Sequence, residues 1–520
     1  MPVPSAGELV YLLPEIVLVF TAMILLLADA FAGGRVEAQG AVASGAGTGS
    51  VPLSSAAGAR RDWIGYLAVL GVVVAMILIR RDLTQPGPIL GNMVASDGYA
   101  AFFKAVFLIA TALVALISID YVAARGIAAG EYFSLLLLAT TGALFMAGAA
   151  NLLTFYLGLE LLSLSSYALA GLMRTDPRSQ EASLKYFLNG ALSSGILLFG
   201  ISLLYGATGT FDLVELAQQA GQALQGGATA GPLPAPVLAL GIAFLLAGLA
   251  FKAGAVPFHL WLPDAYQGAP TPITAYLAVA SEGAAFAAIL RVFYGGLGGA
   301  QGSWQLAFVL LAVLTMTVAN VAALRQTDVK RLMAYSSIAQ AGYILAAVAA
   351  ATELSRPAVL YYVMAYTFMN VGAFAVITAL QVQGEGREVR DFAGLARREP
   401  LLAALLVVFL VSLVGLPPTA GFMAKFSVFR SLVAAGNYWL PVVVALNSVI
   451  SVGYYYNLVR YMYVVSPEKE PVPDTPVAVP APIWTVLVVC VFFTLVLGLW
   501  PEAFVRWAEV SLMAMGGRSF

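Results

Sequence analysis

Apolar segments of about twenty residues follow one another from end to end of this 520-residue chain. They fall at 9–31, 62–81, 99–121, 131–149, 151–173, 183–208, 236–256, 272–294, 304–324, 332–351, 358–382, 400–435, 439–463 and 482–505, about fourteen in all. About twenty apolar residues wound at 1.5 Å each cross a hydrocarbon core of about 30 Å. Backbone groups in lipid have no water to bond, so each crossing has to be helical. The chain therefore reads as an all-α polytopic membrane protein. Composition agrees: 61% of residues are hydrophobic and 10% charged, against about a quarter charged in globular chains. A net charge of −1 offers no field to hold nucleic acid. One cysteine (Cys490) and one histidine (His259) exclude a disulfide framework, an iron–sulfur cluster and a multi-Cys/His metal site.

The first segment lacks the basic flank of a signal peptide, having Glu8 before it, and reads as a retained helix. Two segments look broken. The stretch 400–435 would span about 54 Å if straight, and Pro417-Pro418 in its middle removes two backbone donors. Segment 236–256 runs into Pro257 and continues apolar beyond it. With both termini outside, the inner side gathers Arg35, Arg60, Arg61, Arg174, Arg178, Arg331 and Arg397, among others. The outer set is smaller and includes Arg80, Arg81, Arg291 and Arg518, as the positive-inside rule favours. Ala32–Ala59 and Leu224–Pro236 read as small-residue linkers. The charged loop Gly384–Glu399 would face a partner or headgroups.

A charge at the bilayer centre costs about 2.5–3.5 kcal/mol, so ionisable residues there are functional candidates. Glu160 shares a helical face with Tyr156, Ser163 and Tyr167, a stripe that is either interhelical glue or the wall of a hydrated path. Lys252 precedes the break at Pro257. Freed carbonyls there could solvate it, or it could snorkel to the headgroups. Glu282 is central in its segment, and Lys425 lies two turns beyond Pro418; both suit a relay or a structural salt bridge. Lys185 follows Glu181 by four residues, as a surface pair or a relay group. Lys104, near a segment end, is expected to snorkel. His259 follows Pro257-Phe258 in a turn, where packing and proton passage are both open. Ser336, Gln340, Tyr343, Tyr362, Tyr366, Asn370, Asn447 and Ser451 extend a polar core through later helices. Desolvated amines and carboxyls both move toward neutral titration, so such a row could load and release protons.

The two broken segments, each with a lysine, suggest an inverted internal repeat. Several stretches then resemble one family: FKAGAVPFHLWLPDAYQGAPTPITAYLAVASEGAAF (251–286), NLLTFYLGLELLSLSSYALAG (151–171), EASLKYFLNGA (181–191), DVKRLMAYSSIAQAGY (328–343), DFAGLARREP (391–400) and GLPPTAGFMAKFSVF (415–429). They are similar to the antiporter-like membrane subunits of respiratory complex I and of multi-subunit Na⁺/H⁺ antiporters. LLPEIVLVFTAMILLLAD (12–29) and LNSVISVGYYYNLVRYMY (446–463) resemble the subunit N branch of NADH-quinone oxidoreductases.

The resemblance implies two inverted five-helix repeats, at 131–294 and 304–463, with broken seventh and twelfth helices. Helices one to three would occupy 1–130, and a final helix 464–520. It implies a proton relay through Glu160, Lys185, Lys252 and Lys425, with Glu282 standing where the family usually has lysine. An acid there would be expected to pair with Lys252. The resemblance also implies no metal or cofactor in this chain; NADH, FMN, iron–sulfur clusters and quinone would belong to partner subunits. The partners would be the other complex I membrane subunits, and the location the cell's inner membrane. The alternative is a subunit of a multi-subunit Na⁺/H⁺ antiporter.

Overall fold

The computed structural model describes residues 6–31, 61–80, 87–224, 234–465 and 476–513. Arg35, Arg60, Arg81 and Arg518, and the linkers expected at Ala32–Ala59 and within Leu224–Pro236, lie wholly or mainly outside the described residues. In chain order the helices are α1 (Leu13–Phe31), α2 (Asp62–Leu78), α3 (Gly98–Arg125), α4 (Ala129–Ala147), α5 (Leu152–Ala170), α6 (Pro177–Thr208) and α7 (Ala235–Lys252). A short α8 (Leu262–Gly268) follows, then a continuous α9 (Thr271–Gly296), α10 (Gln301–Ala323), α11 (Val329–Ala350) and α12 (Ser355–Val382). The last are α13 (Pro400–Val414), α14 (Ala420–Ala434), α15 (Trp439–Tyr463), α16 (Ala481–Leu499) and α17 (Pro501–Met513). Among the described residues eleven helices are long and apolar enough to cross a membrane, and three shorter apolar ones join them. A small hairpin, β1 (Gly87–Ile89) with β2 (Val94–Ser96), pairs antiparallel beside them.

The sequence starts these helices with side-chain caps. Asp97, Asn151, Asp176 and Asp328 each accept from a backbone N–H of the first turn of α3, α5, α6 and α11. Helices α9 and α12 are buried all round and form the centre of the bundle. Their small residues permit this: a Cβ on Gly372 of α12 would strike the ring of Phe409. Helix α6 instead leaves Leu184, Leu188, Leu192 and Phe199 exposed, an apolar flank of the kind lipid or another membrane subunit covers.

Both broken segments end at a glycine in the left-handed region, Gly254 (φ 67°) after α7 and Gly415 (φ 91°) after α13. The segment 400–435 is accordingly two helices, with its break at Gly415–Thr419. The eighth segment departs from a regular helix: Leu277–Ser281 and Leu290–Gly296 are π-helical, and the first of these wide turns ends at Glu282.

Lys104 does not snorkel. It is buried in α3 and pairs with Glu15 of α1 at 2.9 Å. A buried carboxylate 89 positions earlier supplies the counter-charge that the headgroups were expected to provide.

Arg291, expected at an outer helix end, is also buried. Its Nη1 and Nη2 donate to Asp97 at 2.8 and 2.9 Å, and its Nε donates to the Ala147 carbonyl at 3.0 Å. This fork ties α9 to the cap of α3 and to the end of α4. Arg291→Ala strands a buried carboxylate, so we expect about 3–5 kcal/mol of destabilisation, read as a lower thermal midpoint of the purified assembly. Arg291→Lys should recover only part of it, because one ammonium cannot reproduce the bidentate fork.

Candidate functional site

The face Tyr156–Glu160–Ser163–Tyr167 of α5 turns inward against α6 and α7, as its spacing predicts. Ser194 of α6 donates to Glu160 Oε1 in a short hydrogen bond and lies 3.1 Å from the Tyr156 hydroxyl. One turn further on, Ser163 accepts from Lys252 Nζ at 3.0 Å, and the Tyr186 hydroxyl lies 3.4 Å from the same ammonium. Glu160 is half-buried.

Lys252 is the last residue of α7 and is buried, so it does not reach the headgroups. Nor do freed carbonyls solvate it. The Ala250 carbonyl accepts from Ala255 N–H, and that of Phe251 accepts from Gly254 N–H and Trp261 Nε1. The break heals itself, leaving the ammonium to two hydroxyls.

The second break does what the first does not. Lys425 Nζ donates to the Leu413 carbonyl at 3.2 Å, the Val414 carbonyl at 2.7 Å and Ser448 Oγ at 3.1 Å. It also stands 4.4 Å from the centre of the Tyr343 ring, within cation–π range. A Cβ on Gly415 would come within 2.8 Å of Lys425 Cδ, so that glycine both makes the turn and leaves room for the lysine stem.

Glu282 lies on α9, between the two lysine-bearing breaks in sequence. Tyr266 of α8 donates to its Oε1 in a short bond, Ser337 Oγ of α11 lies 2.9 and 2.8 Å from its two oxygens, and the Tyr366 hydroxyl of α12 donates to Ser337 at 2.9 Å. The expected pairing with Lys252 is absent: each group is satisfied by hydroxyls, and no direct ion pair joins them. Tyr186 contacts Lys252 at 3.4 Å. Toward Lys425, Gln340 Nε2 donates to the Leu413 carbonyl at 3.0 Å and its Oε1 accepts from Tyr362.

Lys185 sits apart from these buried groups, with 44% of its side chain exposed, bound to Glu181 at 2.6 Å and to Asp264 at 2.8 Å. Asp264 accepts from Arg331 on its other oxygen at 2.5 Å. His259 is buried with no hydrogen bond to Nδ1 and none to any other candidate residue. The sequence pattern gave no hint of Ser194, Ser337, Asp264 or Asn320. Asn320 binds Tyr343, Tyr454 and Asn447 from the last turn of α10. Among the described residues no group of His, Cys, Asp and Glu could hold a metal ion.

A buried helical bundle with two interrupted helices, each presenting a caged lysine, and a caged carboxylate between them defines an antiporter-like membrane subunit. A family model described as NADH:quinone oxidoreductase/Mrp antiporter, transmembrane, matches residues 149–451. The chain belongs to this family, in the branch of the subunits N. It is 49% identical over 420 residues to "NADH-quinone oxidoreductase subunit N 2" of Symbiobacterium thermophilum, covering 76% of this chain and 82% of the relative. It is 39% identical over 525 residues to "F(420)H(2) dehydrogenase subunit N" of Methanosarcina mazei, covering 98% and 99%. Among solved structures, a chain of "Respiratory complex I from Thermus thermophilus with bound Aureothin" matches with a TM-score of 0.74 and 29% identity, covering 96% of this chain and 100% of that one. These relatives favour a respiratory assembly over the antiporter alternative.

Proposed function

We propose that this chain is a proton-translocating membrane subunit of an NADH:quinone oxidoreductase, and that Glu160, Lys185, Lys252, Glu282 and Lys425 carry the proton. Electron transfer, with its flavin, iron–sulfur clusters and quinone, would run in partner subunits and drive the movement. Moving one charge against 100 mV requires about 2.3 kcal/mol, which that reaction supplies. One observation carries the proposal: Lys252, Glu282 and Lys425 are buried on separate helices, and each is held by hydroxyls or carbonyls of neighbouring helices. Buried ionisable groups without ion-pair partners among the described residues suit groups that change protonation.

The same proposal takes the chain to cross the membrane about fourteen times, with both termini outside, in the cell's inner membrane. Its two inverted repeats would lie at 131–294 and 304–463, each with one of the breaks at Gly254 and Gly415. His259 would play a part only if the break at α7 opens its unbonded Nδ1 to water.

Glu160→Ala tests the first member of the row. Inside-out vesicles carrying the variant assembly should reduce quinone yet acidify at a rate reduced by about 10²-fold, the lower end for losing an acid–base group. Full acidification at normal assembly removes Glu160 from the path.

A further inference from the structure

Helix α8 is seven residues long, yet with the residue before it it meets Lys185 and Glu282 directly and Lys252 through Tyr186. At its start, the Trp261 ring stacks on Tyr186, 4.2 Å between centres and 5° between planes, and Tyr186 is one of the two hydroxyls holding Lys252. At its other end, Tyr266 donates to Glu282. Between them, Asp264 takes Lys185 of α6 on one oxygen and Arg331 of α11 on the other. Gln267 fastens the same end, accepting from Arg331 at 3.1 Å and donating to Asp328 at 3.0 Å. The helix is too short to hold its own place: isolated helices need about 12–15 residues to be even marginally stable. Its position is set by these tertiary bonds, and Asp264 alone is bound from both the first and the second half of the chain.

We propose, building on the proton-relay function above, that Asp264 is a positioning residue: it anchors α8, and through Tyr266 and Trp261 it sets the hydrogen bonding of Glu282 and the cage of Lys252 at the same time. A rotation or slide of α8 would alter the Tyr266–Glu282 bond and the stack beneath Lys252 together, since Trp261 and Tyr266 are five residues apart on one rigid turn and a half. Asp264 bonds directly to one proposed carrier, Lys185, and to none of the buried ones, Lys252, Glu282 and Lys425. Its effect on them passes through the helix it fixes.

The test is made on the complete assembly in vesicles, with Asp264→Asn, Asp264→Glu and Arg331→Gln. The first readout is the infrared carboxyl band of Glu282, assigned by its loss in Glu282→Gln; the second is protons moved per quinone reduced. Asp264→Asn should shift the band and lower proton transfer about tenfold, within the hundredfold that a 1 Å misplacement can cost. Asp264→Glu, which keeps the charge, should restore both. Arg331→Gln leaves Asp264 its lysine and should give a smaller shift in the same direction, so it carries the test where Asp264→Asn fails to assemble. An unmoved band in Asp264→Asn, or in Arg331→Gln where only that variant assembles, overturns the positioning role. A moved band with undiminished pumping supports the positioning role and counts instead against Glu282 as a relay group.

Discussion

On the proposed relay, Lys425→Met should abolish proton pumping while the chain still inserts and the assembly still reduces quinone. Methionine fills nearly the same stem volume, so the contacts between the side chain and Gly415 survive. What is lost is the amine that the proposed relay takes as its proton carrier. The Leu413 and Val414 carbonyls and Ser448 Oγ all face the ammonium, an arrangement that stabilises it at the broken end of α13 without a counter-ion. Gln340 remains on the Leu413 carbonyl, but the Val414 carbonyl is left without its strongest partner, at about 1–3 kcal/mol. Such a loss leaves a large membrane bundle folded. Removing a group that must take up and release a proton slows that step by about 10²- to 10⁴-fold. The check is dye-reported acidification of inside-out vesicles, normalised to quinone reduction and to assembled complex. Pumping at the normal ratio would show that protons bypass Lys425.

The same lysine shows what a sequence can and cannot disclose. Pro417-Pro418 in an overlong apolar stretch announced the break, because proline removes backbone donors wherever it stands. The sequence reading places freed carbonyls around Lys252, and the structure places them around Lys425. Applied to Lys252, the same physics gave the wrong partners, since the glycine turn and Trp261 Nε1 consume the carbonyls first. The stripe through Glu160 was legible because helical spacing alone puts its members on one face. Contacts between distant segments were not. Nothing near Lys104 announces Glu15, and nothing near Arg291 announces Asp97, so two internal ion pairs read as helix-end charges. Asp264 had the same difficulty: its partners lie 79 residues before it and 67 after it. Periodicity reports which face a residue occupies; only the packed bundle decides what that face meets.

Glu282→Lys, which brings in the residue type that the resemblance implies for this position, should pump as poorly as Glu282→Gln. The surroundings of Glu282 are built from donors. Tyr266 donates a hydrogen bond to it, Ser337 donates another, and Tyr366 donates to Ser337 from behind, so the hydroxyls point toward the carboxyl group. A lysine ammonium has three donors and no acceptor. Hosting it would require Tyr266 and Ser337 to turn their hydrogens away into an apolar interior, at about 1–3 kcal/mol for each donor left unpaired. It would also add a second buried amine to an interior that already holds Lys252. Losing the acceptor and reversing the sign act together, so the proton step should slow by about 10²-fold or more. Glu282→Asp, one methylene shorter, keeps the sign and should retain a measurable part of the rate. Vesicle acidification across the three variants separates the possibilities. Wild-type pumping by Glu282→Lys would mean that the site needs only a titratable group; failure of Lys and Gln with partial function in Asp would mean that the hydroxyl cage has been fitted to an acid.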